Sequence, residues 1–257
     1  MKLDTTYKKQ EDKIMNLNMA NRQCCDLDIR DYKTNEPWLF ADFCNTTTAG
    51  FTGESVYAMK KGSKAIAFSD PLSGTMTLEF QVHPFKIYSL LSDGTIETNA
   101  IIPVRETLVG GESGKLTLTS EPVSGSVFVY AEGDFAGTSI AGTVSASTFT
   151  ASEASAVVES AKYEVAYLVE KRSGVKKIAF NNKKIPKNYR VTMETLDKNE
   201  EGELIPLKIT AYKAAPQRNL ELSFSSAGDP GAVTITFDVL EDRDGNVLDI
   251  VEIEDGE

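Results

Sequence analysis

Apolar and polar residues alternate with a period of two along most of this chain, and no other feature constrains its fold as tightly. DLDIRDY (26–32), WLFADF (38–43), SKAIAF (63–68) and GTMTLEFQV (74–82) carry the pattern, each bounded by Gly, Pro or Asp. Successive side chains of a strand point to opposite faces, so each stretch can bury one face and solvate the other. DPLSG (70–74) reads as the turn between the third and fourth of these strands. The alternation resumes in YRVTMETLD (189–197), ELIPLKITAYKA (203–214) and TITFDVL (234–240), and VKKIAF (175–180) and RNLELSFSS (218–226) are expected to be strands as well. Antiparallel strands joined by short turns need no helical crossovers, which excludes a parallel α/β fold.

One segment departs from the period. In HPFKIYSLLSDG (83–94), Phe85, Ile87, Tyr88 and Leu91 recur at helical spacing, with Pro84 suited to a first turn and Gly94 to a C-terminal cap. This predicts a single short helix lying on one face or edge of a sheet. From Pro103 to about Arg172 the texture shifts to Ser, Thr, Ala and Gly, with short strands in GKLTLTSEP, GSVFVYAEGD, TSIAGTVSASTFT and KYEVAYLVEK. Such spacing describes a small sandwich-like unit. The expected organisation is an arm at 1–20, a main β domain at 21–103 and 173–257, and an inserted β subdomain at 104–172.

The arm is polar and charged throughout without an apolar core, so it does not read as a secretion signal. No apolar run approaches the ~20 residues that cross a bilayer. The expectation is a soluble protein made inside the cell. Cys24, Cys25 and Cys44 are an odd number of thiols, two of them adjacent, and are expected to be free, small, buried side chains.

Net charge is −11, and its distribution is uneven. Residues 238–257 hold nine acids and one arginine, while 171–190 hold eight bases and no acid. Segments of opposite sign give the chain a means of attracting a copy of itself, and they are equally compatible with two solvated faces. Within the acidic segment, LEDRDGNVLD (240–249) has the look of a calcium loop. With Gly245 at the sharp-turn position, however, Leu240 and Val251 fall where calcium needs its first and last oxygens. The Asp-Gly-Asn between β-branched flanks instead predicts a hairpin tip.

Motifs for catalysis are missing their partners. GGESGKLT (110–117) lacks the earlier glycine and the final hydroxyl of a phosphate loop, and LTLT follows as a strand where a helix N-terminus is required. It reads as a glycine-rich hairpin turn. The single histidine, His83, beside Pro84, reads as structural. No pair of acids is singled out for acid–base work. No enzyme, cofactor or metal is expected. IAFNNKKIPKNYR (178–190) mixes aromatics and bases, but an acidic chain opposes binding driven by counterion release.

Taken in order, the segments resemble a known family. GELIPLKITAYKAAPQRNLELSFSSAGDPGAVTITFDVLEDRDGNVLDIVEI is similar to the C-terminal half of bacteriophage tail tube proteins (major tail proteins). VYAMKKGSKAIAFSDPLSGTMTLEFQVHPFKIYSLLSDG resembles the N-terminal half, and LTSEPVSGSVFVYAEGDFAGTSIAGTVSASTFT is similar to small β inserts in such proteins. The resemblance implies a mainly β fold: an antiparallel β-sandwich or barrel-type tube domain with one short helix, plus an inserted small Ig-like β subdomain. It implies a virion protein made in the host cytoplasm. Hexameric rings would stack into a tube that DNA traverses without specific binding, and tape-measure, terminator and possibly sheath proteins would be partners. Contacts between subunits are then expected to pair Lys176, Lys177, Lys183, Lys184, Lys187 and Arg190 with Glu241, Asp242, Asp244, Asp249, Glu252 and Glu254. Another virion part, such as a capsid decoration or baseplate protein, is the alternative.

Overall fold

A computed structural model describes residues 18–42, 44–135, 137–222, 226–228 and 230–253. Most of the expected arm, residues 1–17, and Glu254 lie outside the described residues. In chain order the strands are β1 Met19–Ala20, β2 Asp26–Asp31, β3 Pro37–Ala41, β4 Thr46–Thr52, β5 Ser55–Lys60, β6 Ser63–Ser69, β7 Ser73–Phe80 and β8 Ala100–Val109. They continue as β9 Lys115–Thr117, β10 Phe128–Ala131, β11 Gly142–Ser145, β12 Thr148–Ala151, β13 Lys162–Lys171, β14 Tyr189–Asn199, β15 Leu204–Pro216, β16 Val233–Leu240 and β17 Leu248–Glu252. All named pairings are antiparallel. The protein is thus mainly β, as the period-two pattern requires.

Two compact units divide the chain: residues up to Gly94 together with Phe180 onward, and Thr95–Ala179. The first is built on one sheet in the order β3-β2-β14-β15-β16-β7-β4, with β1 added on β14 and β17 on β15. Its core lies on a single face: Leu27 and Ile29 of β2, Met76, Leu78 and Phe80 of β7, Tyr189, Val191 and Met193 of β14, and Ile235, Phe237 and Val239 of β16. A sheet with one apolar face must bury it, and this one does so by rolling. Its distant strands come together where the Cys25 N–H donates to Thr47 Oγ1 at 3.4 Å.

The predicted helix is present as a 3-10 helix, Phe85–Leu91, entered through extended Pro84. Gly94, at φ +79°, donates its N–H to Ser89 O and ends it, as its lack of a Cβ suggests. Ile87, Leu90 and Leu91 plug the rolled sheet, whereas Phe85, expected on the apolar face, is 42% exposed. The tighter 3-10 winding moves the buried stripe relative to an α-helix.

The second unit pairs two three-stranded sheets, β10-β13-β8 and β11-β12-β9, around a core of Leu116, Val129, Phe149, Tyr163, Val165 and Tyr167. Glu106 of β8 ties the two sheets together by accepting from the Thr119 N–H (3.1 Å), the Thr119 hydroxyl and the Tyr167 hydroxyl (2.9 Å). Burial pushes this carboxyl up, but the hydrogen bonds from Thr119 and Tyr167 outweigh it and hold the group below its ordinary value.

Several sequence expectations are corrected. VKKIAF forms no strand, only the single bridge Lys177 to Glu97. The described part of RNLELSFSS carries no strand either. GGESGKLT is a turn, with Ser113 and Gly114 at positive φ, but β8 and β9 on either side belong to different sheets, so it is no hairpin. DPLSG is likewise a kink within one leg of a longer ribbon. The three thiols are free as expected, yet Cys24 is exposed and only Cys25 and Cys44 are half-buried.

Candidate assembly surface

The first unit carries a ribbon whose outer half, among the described residues, pairs with no other strand. β4 and β7 pair from Thr46↔Glu79 to Thr52↔Ser73, and the same two legs continue beyond a kink as β5 and β6, from Ser55↔Ser69 to Lys60↔Ser63. Pro71 cannot donate to the ladder and sits in that kink, where Asp70 N–H to Glu54 O keeps the legs together. Lys61 and Gly62 close the tip, both at positive φ (+49° and +85°), the geometry that two-residue hairpin loops use. β5 and β6 pair only with each other.

Cross-strand partners define the faces of this ribbon. Val56 opposes Phe68 and Ala58 opposes Ile66, which gives one face a patch of four apolar residues. Val56 is 62%, Ile66 58% and Phe68 59% exposed. The opposite face has Tyr57, with the Lys64 ammonium 3.8 Å from its ring centroid. Lys60, Lys61 and Lys64 make the tip basic, and none of the three is in an ion pair among the described residues.

The acidic segment is arranged differently from its expected hairpin. β16 and β17 do not pair with each other: β16 runs along Lys213–Pro216 of β15, and β17 continues along Leu207–Ala211 of the same edge. The two are one interrupted strand, and residues 241–247 are an excursion from it. The excursion closes on itself through Asp242 N–H to Asn246 O (2.9 Å), while Asp242 Oδ1 accepts from the N–H groups of Asp244 and Asn246 (2.9 and 2.8 Å). Burial raises Asp242, and the hydrogen bonds from Asn246 and Asp244 more than offset it, leaving the carboxyl below its ordinary value. This carboxylate is spent on its own backbone. Among the described residues no group of three His, Cys, Asp or Glu side chains is placed to hold a metal ion.

The expected contact residues are scattered. Lys177 pairs with Glu97 at 2.7 Å and Lys184 with Asp93 at 2.9 Å, each inside its own unit. Lys176, Lys183 and Lys187 are exposed, as are Glu241, Asp244 and Glu252. Among the described residues the basic and acidic segments approach each other through Tyr212: the Arg190 guanidinium lies 4.6 Å from its ring centroid, and Asp249 accepts its hydroxyl at 2.6 Å. That bond to Asp249, with burial, raises the Tyr212 hydroxyl's pKa. His83 stands edge-on to Tyr88, 5.1 Å between centroids. The basic-tipped ribbon was not singled out by sequence reasoning, although Val56 to Phe68 around Lys61-Gly62 carries both the alternation and the turn signal for it.

On the outward face of the rolled sheet, Thr77 meets Thr236 (3.2 Å) and Thr192 meets Thr210 (3.1 Å). Several bases there are engaged: Arg30 with Asp28 at 2.7 Å, Lys208 with Glu194 at 3.0 Å, and Arg190 on Tyr212, while Lys198, further along the same face of β14, is exposed. By alternation this face also carries the acids Asp26, Glu79, Asp238 and Asp249.

An antiparallel β domain with an exposed apolar ribbon and uneven charge has the features of a structural subunit. Comparison with protein families matches residues 25–253 to the YomU/Tube protein family, and the chain belongs to that family. The resemblance to phage tail tube proteins is borne out: the protein is a structural component of the phage tail, from a family that is structural and not enzymatic. Comparison with curated proteins finds no match. Among the described residues no helix is long and apolar enough to cross a membrane.

Proposed function

We propose that this protein is the repeating subunit of a tail tube, assembling into hexameric rings that stack around a channel through which DNA is delivered to the host. The observation that carries this reading is the β5–β6 ribbon. A two-stranded ribbon is marginal in water by itself, and this one presents an apolar face and two open edges. A neighbouring copy would cover all three at once. Ring closure is the usual way that a repeated heterologous contact avoids open-ended fibres.

The polar outward face of the sheet suits the channel wall. Arg30, Lys208 and Arg190 there are already held by Asp28, Glu194 and Tyr212, so DNA phosphates would meet few available cations that could arrest them. The exposed Lys176, Lys183 and Lys187 are read as orienting a neighbour through its acids, contributing specificity more than affinity. Residues Thr95–Ala179 are read as an insert in the tube domain, with tape-measure, terminator and possibly sheath proteins as further partners. Negative-stain microscopy of the purified protein at high concentration tests the reading. Rings or tubes are expected, and a protein that stays monomeric refutes it.

A further inference from the structure

We infer that the surface receiving the β5–β6 ribbon is formed, on a second copy, by β17 and the excursion that precedes it. The inference rests on the tube reading and names the partner surface which that reading leaves open. Three observations point to this surface.

The first is charge. The ribbon tip carries Lys60, Lys61 and Lys64, with no acid between Ser55 and Ser69. The excursion and β17 carry exposed Glu241, Asp244 and Glu252. The second is apolar area. Leu240, Ile250 and Val251 are 39%, 62% and 46% exposed beside those acids, matching the bare Val56, Ile66 and Phe68 of the ribbon. Phe180 and Ile185, another exposed apolar pair in this unit, are set among Lys183, Lys184 and Lys187 and would repel a basic tip. The third is an unpaired edge. Among the described residues β17 bonds to β15 on one side only, and a partner strand or ribbon can lie along its other side.

The topology also says how the two copies are related. Gly74 of β7 lies opposite Val239 of β16, so the ribbon leaves the sheet at the same end at which the excursion leaves β16. Donor and acceptor therefore leave the sheet at the same end. That placement suits a rotation between copies about an axis along the strands, with little translation. A rotation of that kind, if repeated to closure, makes a ring, and the contact is assigned within the ring on that ground.

A charge-swap experiment tests the inference. One variant carries Lys60→Glu, Lys61→Glu and Lys64→Glu; a second carries Glu241→Lys, Asp244→Lys and Glu252→Lys; a third carries all six. Circular dichroism melting checks that each is folded, and sedimentation velocity with negative-stain microscopy reads assembly. Each triple variant juxtaposes like charges and is expected to raise the concentration at which assembly begins by roughly tenfold or more. The six-fold variant, and an equimolar mixture of the two triples, should recover at least part of the loss. A photo-crosslinker in place of Lys61 should join the 240–252 peptide of a second copy. If the wild-type protein assembles while the triples assemble equally well, or the swap rescues nothing, or the crosslink maps elsewhere, this acceptor is wrong and the tube reading stands. If the wild-type protein does not assemble at all, the tube reading fails and takes this inference with it.

Discussion

Phe68→Ser separates a ribbon built for a partner from one that is part of the subunit's own fold. Phe68 is 59% exposed. A phenylalanine offers about 200 Å² in total, so about 120 Å² of it is still open to water in the monomer. At about 25 cal/mol per Å², complete cover by a neighbour would contribute about 3 kcal/mol, and half cover about 1.5 kcal/mol. The smaller figure is already about a tenfold change in the association constant at each contact. Within the monomer the substitution removes only the cross-strand pair with Val56, about 0.2–1 kcal/mol, confined to the ribbon. Sedimentation velocity over a concentration series should show assembly beginning at a concentration about tenfold higher or more. Urea unfolding followed by circular dichroism should move by no more than about 1 kcal/mol. Unchanged assembly together with a loss of more than about 2 kcal/mol in the monomer would refute the reasoning, because the ring would then be packed inside its own chain.

Phe237→Ala empties a fully buried site at the centre of the rolled sheet and should cost about 3–5 kcal/mol, read by urea unfolding. Gly245→Val forces a β-branched side chain to φ +85° and should destabilise the excursion by about 1 kcal/mol or more, read as faster amide exchange over residues 242–247 with the core unchanged. Glu106 has its carboxyl lowered when folded, so its contribution is present above the ordinary value of about 4.3 and is lost as pH falls through the folded value. Melting curves of wild type and Glu106→Gln should therefore differ at neutral pH and converge in acid. Burial pushes the Cys44 thiol up to about 12, so iodoacetamide at pH 8 should label exposed Cys24 well before Cys44, as peptide mapping will show.

Legibility followed the range of the interactions. Alternation is local, and it marked β2, β7, β14, β15 and β16 together with the faces they bury. Pro84 and Gly94 are local punctuation, and they bracketed the helix closely, although its 3-10 winding buried Leu90 where Phe85 was expected. VKKIAF failed because its neighbours never formed a ladder around it: one bridge from Lys177 to Glu97 is all that its surroundings offer. The charge segments were legible as charge, but their pairing was not. Whether Lys184 finds Asp93, or Arg190 finds Tyr212, depends on side chains far apart in the chain.

By itself, the order of residues determined that this protein is an antiparallel β structure with a helical plug and a strongly acidic end, because period, turn chemistry and charge are properties of short stretches. Only the tertiary structure decided which edges those strands share. An Asp-Gly-Asn between two strands serves a hairpin equally well as a detour along one edge, since both use the same local backbone. What settled it was β15, long enough to pair with β16 and β17 end to end, so that the acids of residues 241–252 flank an open strand and not the tip of a hairpin.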